Sequence, residues 1–439
     1  MNKKSANISY YIGGILILTA AIIFLLIYQK VDFAEDIPTT TEIFLAGHIS
    51  EAHHRMIDRF NSLHKGEILV KSVNLSFEKF ATNERKELFA RFLRSESDKI
   101  DVFSIDQIWV SRFSKWCEPL ENHISYQERK QLLSYGLEAC ISDKHLVAVP
   151  TFVDIALMYY REDLLEKYLN QKDIDDIKNN SITWEKFIEI GTKLKNTEKP
   201  YYVFQGKAYE GLVCSFIELL GSQGVTLYDN KKLQLDTPEA KKALNLLVDM
   251  IHKYRLTPEK ITGFEENRSY DLFIEEDALF LRGWPNLGWH FEPDSLEKYK
   301  VKNIGKTYLP HFQDGKIAAT FGGWNLMVSK FSKHKEEAIE FIKYCLSEEA
   351  QLIMLEEGSF LPTIEKMYTD SLYIMKYPQL AFYKEYFKHG VHRPALKNYT
   401  KISEIISRYV NLALGKKMSV EDALKVAQYK IEKEIFSFN

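Results

Sequence analysis

Three polar residues stand where a folded chain can present chemistry to a ligand. Asp106 directly follows the apolar run Ile100–Ile105 (IDVFSI), Glu51 opens a helical pattern, and Arg85 lies in FATNERKE near the start of another. Carboxylates and guanidinium groups at such points can each grip two neighbouring polar atoms through charge-assisted hydrogen bonds. Flat groups supply a second kind of contact. Trp284 in RGWPNLGW and Trp324 in FGGWNL can stack on an apolar ligand face, and Gly322 and Gly323 let backbone approach it closely. Each residue also has a purely structural reading. Asp106 can cap the next turn, Glu51 can complement a helix dipole, Arg85 can lie in solvent, and either tryptophan can be core. His48, Glu51, His53 and His54 resemble a metal set at a glance, but HExxH is absent and adjacent histidines on a helix point apart. A solvated helix face is the simpler expectation, with no metal. Hydrolysis of a glycosidic bond needs two carboxylates at a defined separation, and no motif here demands it. P-loop, GxSxG and dinucleotide fingerprints are missing, so neither an enzyme nor a cofactor is expected.

The elements that must hold these groups follow from periodicity. Glu42–Ala46 reads as a strand, Ser50–Leu63 as a helix capped by Ser50 with Ala52, Met56, Phe60 and Leu63 on one face, and Ile68–Val73 as a strand. A helix over Glu84–Arg94, with Leu88, Phe89, Phe92 and Leu93 inside, leads to the strand ending at Ile105. This βαβαβ order predicts a parallel, doubly wound sheet, whose ligands bind beyond the carboxyl ends of its strands. Glu51, Arg85 and Asp106 lie just past those ends or in the next loop. Further strands are expected at Leu146–Val149, Ile155–Tyr160, Ala278–Leu281, Thr307–Pro310 and Gly323–Val328. Helices are expected at Glu162–Leu169, Thr183–Leu194, Gly211–Leu220, Pro238–Tyr254, Lys335–Leu346 and Glu348–Glu356, and over most of the chain after Pro362.

Composition bounds the class. The 439 residues carry 58 basic and 61 acidic groups, a formal charge of −3, and are 45% hydrophobic. That predicts two or three domains with large cores and argues against nucleic-acid binding. The aromatic share is 13%, enough for both core and ligand surface. Near the N-terminus, Lys3 and Lys4 precede an uncharged stretch from Ser5 to Gln29. As a helix it would run about 37 Å, beyond the ~30 Å of a bilayer core. A membrane-spanning signal anchor is the expectation, with a cleaved signal peptide as the alternative, and either puts the rest of the chain outside the cytoplasm. Cys214 and Cys345 read as buried thiols, whereas Cys117 and Cys140 have two readings, paired or free.

Several segments in order resemble one family. They are DVFSIDQIWV (101–110), VAVPTFVDIALMYYREDLLEKY (147–168), TWEKFIEIGTKL (183–194), FQGKAYEGLVCSFIELLGSQG (204–224), RGWPNLGW (282–289), LPHFQDGKIAATFGGWNLMVSKFSKHKEEAIEFI (309–342) and ALGKKMSVEDALKVAQYKIEK (413–433). Together they resemble the family-1 extracellular solute-binding proteins of ABC sugar importers, closest to those for trehalose and maltose.

The resemblance implies an α/β fold of two lobes, the type II periplasmic-binding-protein fold, with a ligand cleft between them, and the apolar N-terminal stretch adds one transmembrane helix before them. With that anchor and its linker at 1–35, one lobe is expected at 36–149 plus 310–360, and the other at 150–309 plus 361–439. Crossings are expected near Val149–Thr151, Tyr308–Phe312 and Phe360–Thr363. The resemblance assigns ligand contacts to Glu51, Arg85, Asp106, Phe152, Asp154, Trp284, Gly322, Gly323 and Trp324, with Tyr209 and Glu210 as weaker candidates. Phe152 stands where the subgroup often has Tyr. The subgroup's ligand arginine near the third crossing has no counterpart in EEGSFLPTIEK, and WPN replaces an aromatic after WP. The implied function is delivery of a disaccharide or short oligosaccharide to permease subunits driven by a cytoplasmic ATPase. The implied protein is a monomer at the outer face of the cytoplasmic membrane. A membrane-held sugar receptor that feeds a signalling partner is the alternative.

Overall fold

The computed structural model describes residues 16, 18–23, 40–76, 82–179, 182–194, 199–229, 232–285 and 303–436. The strand β1 (Thr41–Gly47), helix α1 (Glu51–Leu63), strand β2 (Ile68–Asn74), helix α2 (Thr82–Arg94) and strand β3 (Val102–Asp106) follow the expected alternation. β1 pairs parallel with both β2 and β3. Then come β4 (Val149–Ile155) and β5 (Leu157–Arg161), separated by Ala156 alone, and short β6 (Tyr202–Val203). Helix α3 (Glu210–Ser222), helix α4 (Glu266–Glu275), β7 (Phe280–Gly283), β8 (Ile304–Thr307) and the long β9 (Ala319–Val328) complete the middle. Beyond them lie α5 (Glu348–Gly358), β10 (Gly390–Val391) and α6 (Tyr399–Leu414).

Two sheets result. The first runs β10-β9-β3-β1-β2, with β4 also on β9, and the second runs β8-β5-β7-β6. The first is mixed, not purely parallel, because β9 lies antiparallel to both β3 and β4. Each sheet has its own apolar core. One draws on Ile43 to Phe152, Leu326 to Phe360 and Tyr399. The other draws on Val153 to Phe321 and Leu361 to Ile431, together with Leu133 and Leu355. The chain therefore changes core between Phe152 and Val153, within β9, and between Phe360 and Leu361. Because β9 is one continuous strand, its first half belongs to one lobe and its second half to the other.

Local chemistry explains several boundaries. Ser50 caps α1 in extended conformation, and its N–H donates to His53 Nδ1 at 3.3 Å. Thr183 caps its helix by accepting from Lys186 N at 3.2 Å. Two expected core residues face solvent instead: Leu63 is 51% and Phe92 40% exposed. Each sits in the last turn of its helix, where the apolar stripe has run past the sheet. All four cysteines are buried and free, Cys117 and Cys140 included.

Most of the expected membrane-spanning stretch lies outside the described residues. Leu16 and residues 18–23 are helical, and no helix among the described residues is long and apolar enough to cross a membrane.

Candidate functional site

β9 assembles the site. Its Trp324 pairs with Asp106 of β3 on one side and with Phe152 of β4 on the other. Two residues earlier, Gly322 pairs with Asp154. A register shift falls between Trp324 and Asn325, just after the strand changes core between Phe321 and Trp324. With Gly323 paired to Val153, six of the residues expected from the sequence are thus fixed by backbone pairing along one short segment.

The glycines make room for the rest. A Cβ on Gly322 would lie 2.8 Å from Trp284 Cζ3 and 3.1 Å from Asp154 Cβ, so the edge of Trp284 rests on this glycine. Gly323 adopts φ +135°, and a Cβ there would meet the Phe152 carbonyl oxygen at 2.7 Å. Trp284 is held from behind. Tyr159 Oη donates to its carbonyl at 2.8 Å, and the Arg282 guanidinium lies 4.3 Å from its ring centre. Arg282 is wholly buried and bridged to Glu218 at 2.5 Å, a pair that fixes the platform under the indole.

Arg85 enters from α2. Its guanidinium carbon is 4.5 Å from the centre of the Trp324 ring, and the residue is 1% exposed. Burial pulls its pKa down to about 9, against the opposing pull of Asp106 and of Glu266 on α4. Asp154 is 5% exposed, and its Oδ1 has no hydrogen-bond partner among the described residues. Burial, with Asp106 adding to it, pushes the Asp154 carboxyl well above the usual carboxylate range. Such an unfilled acceptor is costly unless a ligand completes it.

Asp106 is clamped. Its Oδ1 accepts from Ile108 N at 3.0 Å and from Arg393 Nη2 at 2.8 Å. Among the described residues both bonds fall on Oδ1. Arg393, which the sequence reading did not single out, stands beside Asp106. The side chain comes not from the EEGSFLPTIEK loop but from the segment after β10, and it is 6% exposed beside Asp106. The HRP sequence around it was the available signal, but nothing local tied it to a strand 287 positions away. Other residues at the site were likewise unforeseen. Burial, and after it the Arg85 guanidinium nearby, draws the His48 pKa down to about 4. Phe360 packs on Phe152 at 4.6 Å and on the His53 ring at 5.2 Å.

Other expected residues are placed differently. Glu51 is on the surface, paired with Arg55 at 3.2 Å. His53 is buried against Phe360, not solvated, because its ring completes the α1 cap. Tyr209 lies beside Glu266, with both close to Gly211. The Glu210 carboxylate is fully engaged by Arg393, Tyr399 and Ser403. No group of three or more potential metal ligands occurs among the described residues. Two indoles, two arginines and two carboxyl groups, most of them buried, gather around the line where the lobes meet. That combination suits a polyhydroxylated ligand with apolar faces.

Residues 78–352 match the family described as bacterial extracellular solute-binding protein. A probable ABC transporter-binding protein of Deinococcus radiodurans is 29% identical over 353 residues, 79% of this chain and 83% of its own. Among solved structures, maltose-bound MalE3 of T. maritima superposes with a TM-score of 0.81 at 31% identity, covering 90% of this chain and 99% of that one. A solute-binding protein of Agrobacterium vitis with bound D-mannitol shares the fold, with a TM-score of 0.75 at 22% identity over 91% of this chain and 99% of that one. On these grounds the chain belongs to the bacterial extracellular solute-binding proteins, the substrate-binding components of ABC sugar importers, and is not an enzyme.

Proposed function

We propose that the cleft takes a disaccharide or short oligosaccharide of the maltose and trehalose kind and that the two lobes close around it. The observation that carries this reading is the arrangement on β9. Trp324, set between Asp106 and Phe152, and Trp284, resting on Gly322 beside Asp154, form one surface with Arg85. One sugar ring fits against Trp324 with its hydroxyls on Asp106 and Arg85, and a second fits against Trp284 with a hydroxyl on Asp154. A ligand that touches both lobes favours the closed state by its differential affinity for it. The likeness to maltose-bound MalE3 supports a glucose-based ligand. The protein would then work as a monomer, held at the outer face of the cytoplasmic membrane by its N-terminal apolar segment, and hand its sugar to permease subunits.

A thermal-shift screen of the full chain in mild detergent tests this, with maltose, trehalose, sucrose, longer glucans, mannitol and monosaccharides. A ligand at 100 times its dissociation constant stabilises by about 2.7 kcal/mol. A selective rise with one disaccharide is the expected result. A rise with mannitol alone, or with nothing, would overturn it.

A further inference from the structure

We propose that Glu210 is a positioning residue for the sugar site: acting through Arg393, it holds the Asp106 carboxylate of one lobe in register with helices α3 and α6 of the other. The inference rests on the reading of Asp106 as a sugar ligand. Glu210 is 6% exposed and opens α3, where the helix dipole favours its charge. Its Oε1 accepts from Arg393 Nη1 at 3.0 Å and from Tyr399 Oη at 2.7 Å, and its Oε2 accepts from Ser403 Oγ. Every one of these donors comes from the segment after β10 or from α6. The second arm of the same guanidinium, Nη2, reaches Asp106 Oδ1 at 2.8 Å. A planar fork with one tine on each carboxylate fixes their relative position, which a single ammonium cannot do. Asp106 in turn holds the Ile108 N–H, so one chain of bonds runs from α3 through Arg393 and Asp106 to the turn after β3. Since α3 belongs to the second core and β3 to the first, the link spans the lobes.

The test uses Glu210→Gln and, in case that variant fails to fold, Arg393→Lys, each in the full chain. The Ile108 amide reports directly on Asp106, because its hydrogen is the one Asp106 Oδ1 accepts. In sugar-free protein, hydrogen exchange at Ile108 should speed up by about tenfold, the loss of one net hydrogen bond, while Phe103 and Ile105 in β3 keep wild-type protection. Unchanged exchange at Ile108, or equal acceleration along the whole strand, overturns the link whatever sugar does. In a wild type that binds a sugar, Glu210→Gln should weaken it about tenfold although Glu210 does not touch it. Affinity within threefold of wild type overturns the proposal as well. A wild type that binds none of the panel refutes the proposed function, and the exchange result still decides the link.

Discussion

The guanidinium carbon of Arg85 stands 4.5 Å from the centre of the Trp324 ring, in a residue only 1% exposed. The stack serves two ends. It holds the indole as a platform and holds the charged fork beside Asp106. It also has a cost, since burial draws the guanidinium pKa down to about 9. Replacing Arg85 by Gln should therefore separate function from stability. Calorimetric titration should show affinity for the sugar reduced by at least about tenfold, as expected for a cation–π contact plus a charged hydrogen bond. The melting temperature should hold or rise. A falling melting temperature with intact affinity would mean that Arg85 only props up the lobe.

Adjacent glycines should fail in different ways. Alanine at Gly322 meets the Trp284 ring at 2.8 Å and Asp154 Cβ at 3.1 Å, with no backbone atom among these contacts. Gly322→Ala should displace Trp284 and cost binding more than stability. Gly323 sits at φ +135°, and its added Cβ meets a backbone oxygen at 2.7 Å. Gly323→Ala should cost about 1–3 kcal/mol of folding stability. Denaturant titration and sugar affinity, measured on both variants, should rank them in opposite orders.

How legible all this was depends on whether the signal is local. The strands β1, β2 and β3, the Ser50 and Thr183 caps and the helices between follow from residues a few positions apart, so periodicity reached them. β9 reads from the sequence only from Gly323 onward, because GG ahead of the tryptophan looks like a turn. In the structure the strand begins at Ala319, and those glycines are the places where Trp284 and Phe152 press against it. Arg85 and Lys86, each 1% exposed, look like surface charge in FATNERKE, and only tertiary packing buries them. Arg393 meets Asp106 across almost the whole length of the chain, so no spacing rule could join them. Glu210 stood out by its segment's resemblance to a family marker, but the segment could not show that its carboxylate faces α6 and Arg393 instead of the cleft.

The histidines near the cleft set an acid limit. Burial first, then the Arg85 charge, lowers the His48 pKa to about 4, and burial first, then His48 and His54, lowers that of His53 to about 3. Both folded values lie below the ordinary 6.5, so the unfolded chain binds more protons in this range. Stability from these neutral rings is therefore complete above pH 6.5 and is lost as pH falls through about 4 and then about 3. The slope is at most about 1.4 kcal/mol per pH unit for each ring. Urea melts between pH 7 and pH 4 should show this loss, and His48→Gln should make it shallower. An equal slope in the variant would show that His48 stays hydrated.

Asp154 titrates with the opposite sign. Its carboxyl is raised well above the usual range by burial and then by Asp106, so the folded protein holds a proton that the unfolded chain releases above about pH 4. Its contribution is present below that pH and is lost as pH rises. Asn has the same shape, carries no charge, and can both donate and accept, as the protonated acid does. Asp154→Asn should therefore raise stability at pH 7 relative to wild type, leave it unchanged near pH 3, and keep sugar affinity within about tenfold. Asp154→Leu fills the same space without a polar atom, so it should gain the same stability and lose the sugar. The two variants divide the roles of this carboxyl. If Asn loses binding as completely as Leu does, the ligand requires the ionised form, and the charge that burial and Asp106 oppose is then created only when a sugar hydroxyl arrives to stabilise it.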